Sequence, residues 1–160
     1  MYTENKHKQF MKTAINLAQK GMDGNSGGPF GAIVVKDNKI IAEGQNQVTS
    51  TNDPTAHAEV VAIREACKKL EAFQLEGCTI YTSCEPCPMC LGAIYWARPD
   101  KVFFGATKKD AAAANFDDQF IYDEMELAIE KRKIIFENIM REEAAEVFEA
   151  WKNKEDKTEY

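Results

Sequence analysis

His57-Ala-Glu59 and Pro86-Cys87-Pro-Met-Cys90 are the two stretches of this chain whose residue types and spacing could do chemistry together. Imidazole nitrogen and thiolate sulfur are zinc ligands, and a zinc that does chemistry keeps one position open for water. Cys87 and Cys90 are three apart, a spacing that puts both sulfurs on one face of a helix. Pro86 and Pro88 tolerate only a helix start there, and a helix N-terminus favours thiolate over thiol. His57 falls in the expected first turn of a second helix, so two helix starts can point at one ion. A closed structural site needs a fourth protein ligand. Cys84, three residues before Cys87, is the alternative for that place. The only other histidine, His7, lies in a polar N-terminal stretch with no partner motif.

Glu59 decides what the metal is for. Taken alone it is a solvated first-turn acid that complements the helix dipole. Residues two apart on a regular helix face away from each other, but near the helix end a long side chain can still reach the open position of the ion. Zinc lowers the pKa of a bound water towards ~7, and a carboxylate can take that proton and later deliver protons to a ring nitrogen and a leaving amine. A zinc hydrolase is the expectation. The alternative of another class is a non-catalytic zinc module that binds a partner, for which Glu59 would be superfluous.

The elements that must hold these groups follow from pattern. Phe10, Ala14, Leu17 and Ala18 recur at helical spacing, which predicts a first helix over about Lys6–Lys20, with Gly21 as its stop. Asn25-Ser-Gly-Gly-Pro-Phe30 reads as a loop. Ala32–Val35 and Lys39–Ala42 flank Asp37-Asn38 as a β-hairpin. Asp53-Pro54 predicts a cap with proline in the first turn of a helix running to Leu70. Strands are expected at Cys78–Thr82, Lys101–Phe104 and Lys133–Ile139, with helices at Met89–Ala97, Asp118–Ile129 and Arg141–Lys152. Strands alternating with helices imply a three-layer α/β/α sandwich with a mixed five-stranded sheet, its later strands parallel.

The 160 residues suit one domain, with 44% hydrophobic and 29% charged residues. The start of the chain has no apolar run behind basic residues, and no stretch approaches the ~20 apolar residues of a membrane span, so the cytoplasm is the expected compartment. Five cysteines, three of them close together, favour metal or redox use over a disulfide framework. A net charge of −6 argues against a protein that works by gripping phosphate backbones. No membrane or nucleic-acid partner is expected.

The pairing of H-x-E with P-C-x-x-C is the signature of zinc deaminases acting on nucleobases. The chain resembles the cytidine-deaminase-like superfamily and, within it, the short bacterial guanine deaminases. The likeness covers nearly the whole chain. It includes Gly27–Ala32, Asn52–Glu59, Tyr81–Pro99, Phe116-Asp-Asp118 with Phe120-Ile-Tyr122, and Tyr160. It implies one zinc per chain on His57, Cys87 and Cys90, and hydrolysis of guanine to xanthine and ammonia with attack at ring C2 and Glu59 protonating N3. It also assigns Asn46 a hydrogen bond to the base, Phe30 a stacking face, the backbone of Ala58 a contact with the ring, Asp118 a catalytic place beside the exocyclic amine, and Trp96 and Tyr160 the pocket wall. On residue type alone Asp118 could equally cap a helix, Asn46 a turn, and Phe30 and Trp96 could be core aromatics. The resemblance further implies a homodimer in which the last ~20 residues can be exchanged, so that the tail covers the partner's site.

Two rival substrates share the metal motif. A tRNA-specific adenosine deaminase must bind an RNA loop, which fits poorly with the negative charge, the acidic run Arg141-Glu-Glu-Ala-Ala-Glu146, and bulky Tyr95 and Trp96. Cytosine deaminases resemble the chain mostly at the metal motifs. The riboflavin-pathway pattern is absent around Cys87–Cys90.

Overall fold

The computed structural model describes residues 3–160. The chain divides into two compact units, Met1–Gln119 and Phe120–Tyr160. The first unit is an α/β sandwich. Helix α1 (Glu4–Asp23) leads into the hairpin β1 (Gly31–Lys36) and β2 (Lys39–Gln45), and the short α2 (Val48–Thr51) precedes α3 (Ala58–Leu70). Then follow β3 (Cys78–Cys84), α4 (Pro88–Ala97), β4 (Lys101–Ala106) and the short α5 (Lys108–Ala113). The four strands form one mixed sheet in the order β2-β1-β3-β4. β1 is antiparallel to both neighbours, whereas β3 and β4 are parallel because α4 carries the chain across between them.

Alternation along the central strands builds two cores. Ile33 and Val35 of β1 and Tyr81 of β3 face α1, where Phe10 and Ala14 complete the layer. Ala32, Val34 and Ile80 face the other way, towards Ala58, Ala62 and Ala66 of α3 and Ile94 and Ala97 of α4. The alanine stripe of α3 brings its backbone close to the sheet. At Gly44 of β2 a Cβ would stand 2.2 Å from the Ala58 carbonyl oxygen and 2.7 Å from the Ala62 nitrogen, so only glycine lets α3 seat there. His57 caps α3, and its end is set by Glu71 in the left-handed region. Cys87 caps α4, with Pro88 in the first turn.

The second unit holds α6 (Gln119–Glu126, which begins one residue before the boundary), a 3-10 turn at Ile129–Lys131 and α7 (Arg141–Lys152). None of the residues in these elements is buried. No helix among the described residues is long and apolar enough to cross a membrane.

Three expectations need correction. The sheet has four strands, not five, because Lys133–Ile139 forms no strand. Its composition is right for one, but a strand must pair its N–H and C=O groups, and the other elements of its unit are helical. His57 stands one place before the first turn of α3, as its cap. Asp53 starts no helix. Its Oδ1 accepts hydrogen bonds from Thr55 N (2.8 Å) and Thr55 Oγ1 (2.7 Å), making a local turn that ends at His57.

Candidate metal centre and active site

The two helix starts converge. His57 Nδ1 lies 3.5 Å from Cys87 Sγ and 3.5 Å from Cys90 Sγ. All three donor atoms lie within 4.8 Å of one another. Ligand atoms about 2.0–2.3 Å from a tetrahedral zinc stand roughly 3.5–3.8 Å apart, so this nitrogen and these sulfurs fit the ion. Because Nδ1 faces the sulfurs, it is the ring nitrogen available to the metal.

Electrostatics point the same way. The hydrogen bond with Cys90, helped by those from His57 and the Cys90 backbone N–H, draws the Cys87 thiol down to about 4. The same contact with Cys87, together with burial, pushes the Cys90 thiol up. The His57 imidazole is pushed up, first by its hydrogen bond to Cys87. The pair thus holds one thiolate readily, and a second beside it calls for a cation. Cys84 is turned elsewhere. Its Sγ donates to the Thr107 carbonyl at 3.6 Å, and burial raises its thiol to about 11. Three protein ligands leave a tetrahedral ion one open position.

Glu59, in the first turn of α3, is only 5% exposed, which for a carboxylate demands a reason. Its Oε1 accepts from Thr82 Oγ1 at 3.0 Å, and its Oε2 sits 3.4 Å from Cys90 Sγ. Burial raises its pKa. A carboxyl held there can give a proton back as well as take one.

The remaining residues are placed unequally. Asn46 is buried, and its Oδ1 accepts from Gly28 N (3.1 Å) and Val48 N (3.2 Å). A Cβ on Gly27 would stand 2.1 Å from that oxygen. The amide is therefore locked with its NH2 as the group left to offer. Phe30 makes an edge-on pair with Phe116 at 5.0 Å between centroids. Asp118 is half-buried, and burial raises its carboxyl, with the Cys87 charge adding to the push. Ala58 is buried at the start of α3. Trp96 on α4 and Tyr160 in the second unit are exposed. The structure thus gathers His57, Glu59, Cys87 and Cys90. Thr82 joins them unforeseen, its only trace in the sequence being a hydroxyl at a strand position where the preceding same-face residue is Ile80.

Residues 4–106 match the cytidine and deoxycytidylate deaminase zinc-binding region. The chain belongs to this family of zinc-dependent deaminases. Within it, the chain is 58% identical to the guanine deaminase of Bacillus subtilis (strain 168), over 96% of this chain and 99% of that protein. An X-ray structure of guanine deaminase from Bacillus subtilis superposes with a TM-score of 0.94 at 58% identity, covering 96% of this chain and 98% of that one. The tRNA-specific adenosine deaminase of Buchnera aphidicola subsp. Schizaphis graminum (strain Sg) is 38% identical over 94% of this chain and 97% of its own length.

Proposed function

We propose that this chain hydrolyses guanine to xanthine and ammonia. The observation that carries the reading is the 58% identity to a guanine deaminase across 96% of the chain, against 38% for a tRNA-specific adenosine deaminase matched over a similar length. The net charge of −6 points the same way, since an RNA loop needs cationic surface.

His57, Cys87 and Cys90 would hold one zinc, which when bound supplies a water acidic enough to lose its proton near neutral pH. Glu59 takes that proton on Oε2, the oxygen turned towards the ligand cluster. It passes that proton to ring N3 as the water's oxygen adds to C2. It then takes the remaining proton of the added hydroxyl and gives it to the 2-amino group, so that the C2–N bond breaks, ammonia leaves and the C2 carbonyl of xanthine forms. Asp118 accepts from guanine's N1–H and 2-amino donors, and Asn46 donates through its NH2 to an acceptor on the base. Phe30 supplies a stacking face and the Ala58 backbone an edge contact. Trp96 and Tyr160, both exposed, contribute to the pocket in a homodimer whose C-terminal segments are exchanged. Five free cysteines and a thiolate metal site suit a reducing compartment, the cytoplasm.

The test is to incubate zinc-loaded protein with guanine, adenine, cytosine, their nucleosides and a tRNA anticodon stem, and to measure ammonia. Chelator-sensitive ammonia from guanine, with xanthine as product, is expected. Release from the anticodon stem alone would overturn the substrate, and release from none would favour a non-catalytic zinc module.

A further inference from the structure

We infer that Thr82 is the residue that positions the catalytic carboxylate of Glu59, fixing which of its two oxygens carries the proton. The inference rests on the reading of Glu59 as proton carrier. Thr82 is 1% exposed and lies in the central strand β3, between Ala32 of β1 and Phe104 of β4, so backbone ladders fix it on both sides. By strand alternation it shares its face with Cys78 and Ile80, in the layer that packs against α3. A β-branched apolar residue would fill such a place at lower cost, because a buried hydroxyl is penalised unless it is hydrogen-bonded. The Thr82 hydroxyl is spent on Glu59, donating to Oε1 at 3.0 Å.

That bond makes the two oxygens of Glu59 unequal. Oε1 is held on the sheet side, and Oε2 is turned to the ligand cluster, 3.4 Å from Cys90 Sγ. A proton taken from water therefore sits on Oε2, facing the reacting atoms, and the carboxylate does not rotate to present the wrong oxygen. Glu59 begins α3, where the backbone alone leaves a long side chain several rotamers. A hydroxyl on a paired strand removes that freedom before substrate arrives.

The experiment compares variants that differ only in the hydroxyl. Thr82→Val is set against the wild type, and Thr82→Ala against Thr82→Ser. Zinc content, melting temperature, kcat and KM for guanine are measured on holoenzyme, with Glu59→Gln and the Glu59→Gln/Thr82→Val double variant beside them. Thr82→Val should lose roughly ten- to hundredfold in kcat, with KM within about twofold and zinc retained. Thr82→Ser should regain most of what Thr82→Ala loses. Adding Thr82→Val to Glu59→Gln should cost nothing more, because the carboxylate it serves is already gone. Wild-type kcat in Thr82→Val, equal losses in Thr82→Ala and Thr82→Ser, or an undiminished further loss in the double variant would each overturn the proposal. If Thr82→Val does not fold, the alanine–serine pair decides. Full turnover by Glu59→Gln would sink the proton-carrier reading and this proposal with it. Should the wild type act on a different base, the same variants are read on that base.

Discussion

At the scale of single residues, the chemistry proposed above is concentrated in four side chains, and two substitutions separate their duties. Glu59→Gln keeps shape and hydrogen-bonding capacity but removes the base. It should retain zinc and lose turnover by about 10²–10⁴-fold, checked by metal analysis alongside ammonia release. Cys87→Ala should instead lose both metal and activity, because the remaining His57 and Cys90 cannot hold a catalytic zinc. Asp118→Asn swaps an acceptor for a group that is half donor, so guanine kcat/KM should fall well beyond any change in melting temperature. The four central residues are legible in the chain because metal ligation admits few residue types at few spacings. Asn46 is less so, because the structure shows its turn-bracing role while the base contact proposed above would use the other end of the same amide. Its Oδ1 braces a turn, and its NH2 is left to offer. Thr82 could not be found from pattern, since a threonine in a strand is unremarkable until the facing helix is known to carry Glu59.

At the scale of elements, the helices and strands are there to aim two helix starts at one point. α3 can do this only because Gly44 lets its backbone lie against β2. Gly44→Ala should push α3 outward and cost about 1–3 kcal/mol by overpacking, seen as a lower melting temperature together with weaker zinc retention, since His57 and Glu59 ride on the displaced end. A smaller test concerns α5. Asp110 Oδ2 accepts from Thr107 N at 2.8 Å and from Thr107 Oγ1 at 2.7 Å, and these bonds hold its carboxyl below the ordinary 3.8. A carboxyl lowered in the folded state stabilises above its unfolded value, and that contribution fades as pH falls through the folded one. Asp110→Ala should therefore melt below the wild type at pH 6, and the gap should begin to narrow as pH drops under 3.8 and close only below the lowered folded value. The long amphipathic helices and the hairpin at Asp37-Asn38 are readable because several turns of period, or a turn pair, are present. α2 and α5 are too short to display a period. Lys133–Ile139 misleads because composition reports a preference for strand, whereas pairing depends on a neighbour elsewhere in space.

At the scale of the whole molecule, the residues from 120 onward pose an energetic question. Ordering a residue costs about 1–2 kcal/mol of backbone entropy, yet no residue of this unit is buried, and Ile135 (81%), Ile139 (83%) and Phe148 (69%) are largely exposed. Exposed apolar surface on that scale marks an interaction site. Leu91, Tyr95 and Trp96 of α4 are exposed as well, and in the homodimer proposed above a second copy would cover such surface. In the exchanged dimer proposed above, Tyr160 serves the partner's centre, and this can be tested with two inactive chains. One chain carries Glu59→Gln with an intact tail. The other keeps Glu59 but lacks residues 158–160, and by itself should bind zinc normally and turn over poorly. Co-expressed, they form mixed dimers in which the intact tail of the first chain reaches the intact centre of the second. Ammonia release should then return to a sizeable fraction of the wild-type rate in mixed dimers purified through two different tags. A tail that acts on its own chain would leave the mixture as inactive as its parts, because neither chain would hold both a working Glu59 and the residue that covers it.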